Sequence, residues 1–236
     1  MTRRPPDERD QFIEQIIHLY AQGFFPMGRP GSTEIGLYRS DPRGVMPLTR
    51  QEGLHVPRRL ERIIRSRRFT LTSDRAFETV VRGCADRGDD SEGDWITEPM
   101  IQLYLALFDA GHAHSIEAWR TDPESGEVVL VGGIYGVSIG AVFIGESMVH
   151  RARPRMPDGS RHPLDGSNAS SVCLITLSRH LHHCGYQLFD TQMVTDHVAR
   201  FGAFTLGDQA FMERLTPGVA MPDAWRPLEE DGSDRD

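Results

Sequence analysis

No lysine occurs among the 236 residues, so all 26 basic side chains are arginine. That absence excludes any mechanism resting on a lysine amine and makes every basic contact a guanidinium. Cysteine is nearly as scarce. Cys84, Cys173 and Cys184 are odd in number and lack metal-ligand spacing. They fit a reducing compartment, so a cytoplasmic protein without a disulfide framework is expected. No apolar run approaches a membrane span, and no membrane partner is expected. Met1 to Glu8 has no apolar stretch behind it and does not read as a secretory signal. Internal repeats are missing too. His112 and His114 alternate as strand ligands would, but third and fourth ligands do not appear at useful spacing, and no metal is expected.

What is present is an ordinary globular composition, long enough for one large domain or two small ones. The net charge of −8 argues at first against nucleic acid. Its distribution argues otherwise. Residues 216–236 carry six acids (Asp223, Glu229, Glu230, Asp231, Asp234, Asp236) against Arg226 and Arg235, which is −4, half of the total. They read as an acidic, flexible tail. The segment 58–68 holds Arg58, Arg59, Arg62, Arg65, Arg67 and Arg68 against Glu61, which is +5. Such a patch can bind phosphates on an acidic protein; a solvated helix face is the alternative.

Apolar spacing predicts a helix over 11–22 closed by Gly23. Residues 24–54, rich in Gly and Pro, read as loops with short strands. The basic segment reads as a helix with Leu60, Ile63 and Ile64 inward. Asp74 is placed to cap a helix reaching Ala85. A polar loop over 86–94 follows, then a helix from Glu98 to Ala110 behind Thr97, with Pro99 in its first turn. Strands are expected over 114–120, 128–137 and 141–148 as an antiparallel meander. The loop 149–167 precedes a helix from Ala169 to Cys184 stopped by Gly185. A strand over 186–192 and short helices near 194–200 and 207–214 complete the chain. The expected division is a small N-terminal α/β domain (1–85), a catalytic domain (86–215) and the tail (216–236). Helix, three antiparallel strands, helix, strand, helix matches an α+β fold of the acetyltransferase (GNAT) type, although many α+β domains share that order.

Two carboxylates interrupt apolar strands. Glu146 sits in Ala141-Val142-Phe143-Ile144-Gly145-Glu146-Ser147-Met148, and Asp190 in Tyr186-Gln187-Leu188-Phe189-Asp190-Thr191-Gln192. An unpaired buried carboxylate is costly, so it comes with a partner or a purpose. Asp190 and Gln192, two apart, share one face of a strand. One polar site in a core and a pair of structural hydrogen-bonding residues both fit. Gly136-Val137-Ser138-Ile139-Gly140 matches the hydrolase elbow pattern, but both flanks look like strand where the elbow needs a following helix. The pyrophosphate loop of a coenzyme A-dependent acyltransferase has no match; Arg50-x-x-Gly53 comes nearest, with His55 where Gly or Ala is required.

Several blocks run in order: Gly23-Phe24-Phe25-Pro26, Asp41-Pro42-Arg43-Gly44-Val45, Asp94-Trp95-Ile96-Thr97, the stretch Gly111 to Arg120, Leu130 to Val137, Phe143 to Met148, Asn168-Ala169-Ser170 and Leu188-Phe189-Asp190-Thr191-Gln192. Together, over about residues 19–215, they resemble the leucyl/phenylalanyl-tRNA–protein transferase family. The resemblance implies an acetyltransferase-like C-terminal domain behind a smaller N-terminal one. It implies an enzyme moving Leu or Phe, and by extension Met, from aminoacyl-tRNA to the N-terminal Arg or Lys of proteins, marking them for degradation. It places catalytic roles on Asp190, Gln192 and Glu146, with Glu146 assigned to the acceptor's cationic residue. Asp190 would hold Gln192 and supply negative potential. The donor pocket would be lined by Ile134, Met148, Leu174, Leu177 and Phe189, with Trp119 as a further substrate-binding residue. The tRNA would lie on Arg58, Arg59, Arg62, Arg65, Arg67 and Arg68. No cofactor is implied, and a monomer is expected. The chain departs from the family pattern at Met27, where a tryptophan is usual, at Ser171, where a lysine is usual, and in a longer 149–167 loop. A non-catalytic tRNA- or degron-binding module on the same scaffold is the alternative.

Overall fold

The computed structural model describes residues 8–86 and 95–228. The expected loop after Asp86, Asp94, and the acids from Glu229 onward lie outside the described residues. Sixteen elements are present there in chain order: α1 (Glu8–Ala21), β1 (Phe25–Gly28), β2 (Ile35–Tyr38), β3 (Arg43–Met46), α2 (Arg58–Arg65), β4 (Thr70–Ser73), α3 (Phe77–Ala85), α4 (Glu98–Asp109), β5 (Ala113–Thr121), β6 (Val128–Ile139), β7 (Val142–His150), α5 (Ala169–Cys184), β8 (Leu188–Gln192), α6 (Asp196–Ala199), β9 (Phe204–Leu206) and α7 (Asp208–Val219). The protein is a mixed α+β structure built on a seven-stranded sheet of order β4-β5-β6-β7-β8-β3-β9, with β1 and β2 forming a separate hairpin. No helix of the described residues is long and apolar enough to cross a membrane.

The expected meander is present. β5 pairs antiparallel with β6, and β6 with β7. Gly140 turns the second hairpin at φ +59°, and a Cβ there would sit 2.5 Å from the Gly218 carbonyl oxygen. Both conditions favour glycine. β7 then pairs with β8 in parallel, through the crossover helix α5. That helix stops at Gly185 in the left-handed region, whose N–H bonds back to the last turn.

One apolar layer lies on each face of the sheet. α1, α3, α4 and α7 cover one face with Tyr20, Val80, Met100, Tyr104, Leu107 and Leu215 around Val142 and Ile144. On the other face, α2 and α5 pack with Leu60, Val172, Leu174 and Leu181 around Ile116, Phe143 and Phe189. The sheet therefore crosses the boundary drawn at residue 85. β4 pairs with β5 at one edge, and β3 lies between β8 and β9 near the other. β3 is only four residues long and buried throughout, so it offers no alternation to read.

Two further local expectations are corrected. Asp74 does not cap α3, which begins at Phe77 without a side-chain cap. Its carboxylate instead accepts the Ser115 N–H (2.8 Å) and the Trp225 Nε1–H (3.0 Å) and meets His114 Nδ1 (2.8 Å). The segment expected as a tail begins inside α7 and continues as a packed strap over 220–228. Trp225 stacks on the His114 ring at 4.2 Å, and Leu228 N–H donates to Ser73 Oγ. An indole with both a stacking partner and an acceptor outweighs the charge around it.

Phe143, fully buried, meets the rings of Phe189 (5.6 Å), Trp225 (5.9 Å) and Tyr186 (6.3 Å). Phe143→Ala is expected to cost ~3–5 kcal/mol by leaving a cavity there. Urea unfolding should show a lowered midpoint at unchanged slope.

Candidate active site

β7 and β8 pair for only three residues, Val142↔Leu188, Phe143↔Phe189 and Ile144↔Asp190. Beyond that point β7 follows β6 to His150, while β8 follows β3. The strands part, and a cavity of about 970 Å³ opens between them. Gly145, Glu146, Ser147 and Met148 line it from β7, and Phe189, Thr191, Gln192 and Met193 from the β8 side. Phe25, Pro26, Met27 and Trp95 contribute from the hairpin region, and Ser170 and Leu174 from α5.

A bulge shapes the β7 wall. Tyr135 pairs with Ser147 and Gly136 with Gly145, so Glu146 is the extra residue. The bulge also exchanges faces. Before it Val142 and Ile144 belong to the α1/α4 layer; after it Val149 does, and Met148 turns to the α5 layer. Bulges re-aim side chains in this way beside functional sites. Glu146 is aimed at two phenols: Tyr20 O–H donates to its Oε1 (2.7 Å), and Tyr104 O–H to its Oε2 (2.8 Å). Gln192 Nε2 lies 3.5 Å from Oε2. Burial raises the Glu146 pKa to about 7, against the two tyrosine bonds; nearby Asp190 adds to the rise and Arg43 opposes it.

Asp190 does not reach the cavity wall. It is 1 % exposed and held by Arg43, 2 % exposed, through Nε–H (2.8 Å) and Nη2–H (2.6 Å). Such bidentate pairs fix geometry as well as charge. Arg43 also donates from Nη1 to the Gly23 carbonyl (2.8 Å) and lies between the Phe25 and Phe211 rings, 4.8 Å from each centroid. Asp190 Oδ1 accepts the Gln192 N–H at 2.8 Å. Gln192 itself has φ +54°, and its carbonyl accepts the Ser40 hydroxyl (2.7 Å). The expectation that Asp190 supplies free negative potential is corrected: Arg43 neutralises it, and the hold on Gln192 is what is left.

The other expected residues divide. Ile134, Met148, Leu174 and Phe189 line the cavity beside Glu146 and Gln192. Leu177 does not; it is buried in the core beneath α5. Trp119 also lies off the cavity wall, with its Nε1–H on Thr72 Oγ1 (2.8 Å). Arg58, Arg59, Arg62, Arg65 and Arg67 are exposed on and just after α2. Arg68 turns inward, 12 % exposed, and pairs with Asp165 at 3.0 Å. Ser138 lies inside β6, buried against Tyr186 Oη (2.6 Å), with no elbow around it. Sequence reasoning missed Arg43, Tyr20 and Tyr104. A buried phenol needs a partner, which is the signal both tyrosines offered. Arg43 stands in Asp41-Pro42-Arg43-Gly44-Val45 without any hint of its partner 147 residues away.

Removing either partner of the Arg43–Asp190 pair leaves a buried unpaired charge. Arg43→Met or Asp190→Leu alone should cost ~3–5 kcal/mol, and the double variant should regain most of it. Urea unfolding of the three variants measures the coupling. Glu146 gives a pH signature. Between its ordinary value of 4.5 and its folded value of about 7 the native state binds more protons than the unfolded chain. Stability should therefore fall as pH rises through that window, and Glu146→Gln should remove this part of the fall in thermal melts.

The family model described as leucyl/phenylalanyl-tRNA protein transferase matches residues 48–216. The chain is similar to the leucyl/phenylalanyl-tRNA–protein transferase of Paramagnetospirillum magneticum, 41 % identical over 207 residues, covering 87 % of this chain and 88 % of the relative. It is similar to that of Salinibacter ruber, 38 % identical over 213 residues (90 % and 82 % covered). The enzyme of Rubrobacter xylanophilus is 40 % identical over 212 residues (90 % and 97 % covered).

Proposed function

The chain belongs to the leucyl/phenylalanyl-tRNA–protein transferase family and is an aminoacyl-tRNA–protein transferase; from that premise we propose what its site does. It takes Leu or Phe, and Met less readily, from aminoacyl-tRNA and joins it to the N-terminal Arg or Lys of a protein, marking that protein for degradation. It works as a cytoplasmic monomer. The architecture is of the acetyltransferase type, a reading supported by the meander, the crossover helix α5 and the parallel β8 parting from β7.

The observation that carries the reading is Glu146 and Gln192 meeting across the opening between β7 and β8. The reaction converts an ester to an amide and runs downhill without ATP. The acceptor α-amine has a pKa of ~7.7–8.0, so roughly a fifth to a third is neutral at pH 7.4. Its nitrogen attacks the ester carbonyl carbon, the bond to the ribose oxygen breaks, and that oxygen leaves with a proton. Only a mild acceptor is needed, and most of the rate can come from positioning. The Gln192 side-chain carbonyl accepts an N–H of the incoming amine and aims its lone pair. Its amide N–H faces Glu146, whose near-neutral pKa suits it to take up a proton or to bind the acceptor's cation. Asp190 is a positioning residue: it fixes the backbone of Gln192. Ile134, Met148, Leu174 and Phe189 hold the donor side chain. One methylene there is worth ~1–3 kcal/mol, so Leu, Phe and Met form a graded series.

Radiolabelled Leu-, Phe- and Met-tRNA offered with peptides starting in Arg, Lys, Asp or Glu test the reading directly; transfer to Asp or Glu in preference to Arg or Lys overturns the acceptor assignment. Gln192→Ala should lower kcat roughly a hundredfold, with the tRNA Kd unchanged. Replacing Arg58, Arg59, Arg62, Arg65 and Arg67 with Ala should weaken tRNA binding and flatten its salt dependence by ~0.9 for each phosphate no longer neutralised. An unchanged slope would move the tRNA surface off α2.

A further inference from the structure

The long loop after β7 is a built feature, closed at its base and stapled to α2. Gly166 N–H bonds the Arg151 carbonyl (2.9 Å), and a Cβ on Gly166 would lie 2.3 Å from the Val131 carbonyl oxygen, so the two ends meet on the sheet. Asp165, 3 % exposed, gathers the loop. Its Oδ1 accepts Arg153 N–H (3.1 Å) and the Ser167 hydroxyl (2.7 Å); its Oδ2 accepts Arg161 Nη1–H (2.5 Å) and Arg68 Nη2–H (3.0 Å). Burial alone would raise the Asp165 pKa, but these bonds hold it well below the usual carboxylate range. Arg120 adds bonds to the Pro163 carbonyl (2.7 Å) and the Arg68 carbonyl (3.0 Å), tying loop, β5 and the end of the basic segment together.

So anchored, the loop presents its remaining arginines outward. Arg151, Arg153 and Arg155 stand at alternate positions on a fully exposed stretch, with Asp158 the one acid between Arg151 and Arg161. Arg155 is braced by its own loop through Nη1–H to the Gly159 carbonyl (2.7 Å). One end of this stretch, with His150, Arg151 and Ala152, lines the cavity. The other is stapled through Asp165 to Arg68, three residues past α2. In a chain of net charge −8, this arginine-bearing loop thus starts at the cavity wall and is tied to the end of the basic segment at Arg68.

We propose that the loop carrying Arg151, Arg153 and Arg155 is a second RNA-binding arm, which grips the phosphate backbone of the donor tRNA between the aminoacylated end in the cavity and the body on α2. The inference rests on the transferase reading above. An RNA with its acylated end in the cavity and its body on α2 must pass this loop, and guanidinium groups match phosphate geometry. Arg161 and Arg68, engaged with Asp165, set the arm's position.

The test is the full chain carrying Arg153→Ala and Arg155→Ala, which leave the Asp165 staple intact. With two phosphates no longer neutralised, the slope of log Kd for uncharged tRNA against log salt should flatten by roughly 1.4–1.8, and KM for Phe-tRNA should rise roughly tenfold. The kcat and the KM for an Arg-initiated peptide should stay at wild-type values. An unchanged slope and KM for tRNA overturn the proposal. A rise confined to the peptide KM overturns it as well, and assigns the arm to a protein partner. If the wild-type chain transfers no amino acid yet the variant still flattens the tRNA slope, the transferase reading falls and the arm stands.

Discussion

Two buried charges organise the centre of this molecule. The sheet opens where β7 and β8 stop pairing, and an open sheet exposes backbone groups that need partners. β3 supplies them to β8, and Arg43 at its start reaches Asp190 through two N–H groups. The same guanidinium ties the α1–β1 turn at Gly23 and packs between rings from β1 and α7. Desolvating a lone Arg and a lone Asp would be prohibitive. Desolvating them as a bidentate pair fixes five segments relative to one another. The position of Gln192 is thereby tied to the core: its backbone N–H bonds the same Asp190 oxygen that accepts the Arg43 Nε–H.

Glu146 follows a different logic. It has two phenolic donors and, among the described residues, no ion pair with a guanidinium, so dipoles do most of its solvation and the charge of Arg43 adds a smaller part. Dipoles lower the cost of the charge without abolishing it, so burial still raises the Glu146 pKa to about 7, while Asp190, in the next strand, is paired with Arg43. The two carboxylates have different surroundings, a bidentate guanidinium at Asp190 and a pair of phenols at Glu146.

Much of this was legible in the sequence. The meander, the stop at Gly185 and the two carboxylate-bearing strands follow from period and punctuation, and Glu146 with Gln192 stood out as polar groups in apolar strands. What was hidden depended on distant partners. β3 is a buried strand of four residues that carries no alternation, and its place between β8 and β9 is set by contacts from the far end of the chain. Arg43 looked like any arginine after a proline. The strap was misread because charge dominated its composition, while one indole with a ring beneath it and a carboxylate beside it decided its position. Trp119 and Leu177 were carried by the resemblance; a bond to Thr72 and burial in the core, respectively, take them away from the cavity.

The placement of β3 has a consequence for biogenesis. Arg43 and Asp190 are 147 residues apart, so at ~5–20 residues per second a ribosome needs roughly seven to thirty seconds to deliver the second after the first. Throughout that interval β3 has neither of its neighbouring strands. Hydrogen-bonding edges stay bare and the guanidinium stays in water, so the nascent chain is open to capture by other strands and to chaperones. The cavity comes into being only when the last quarter of the polypeptide has emerged, and no amino-terminal fragment that stops short of β8 can possess it.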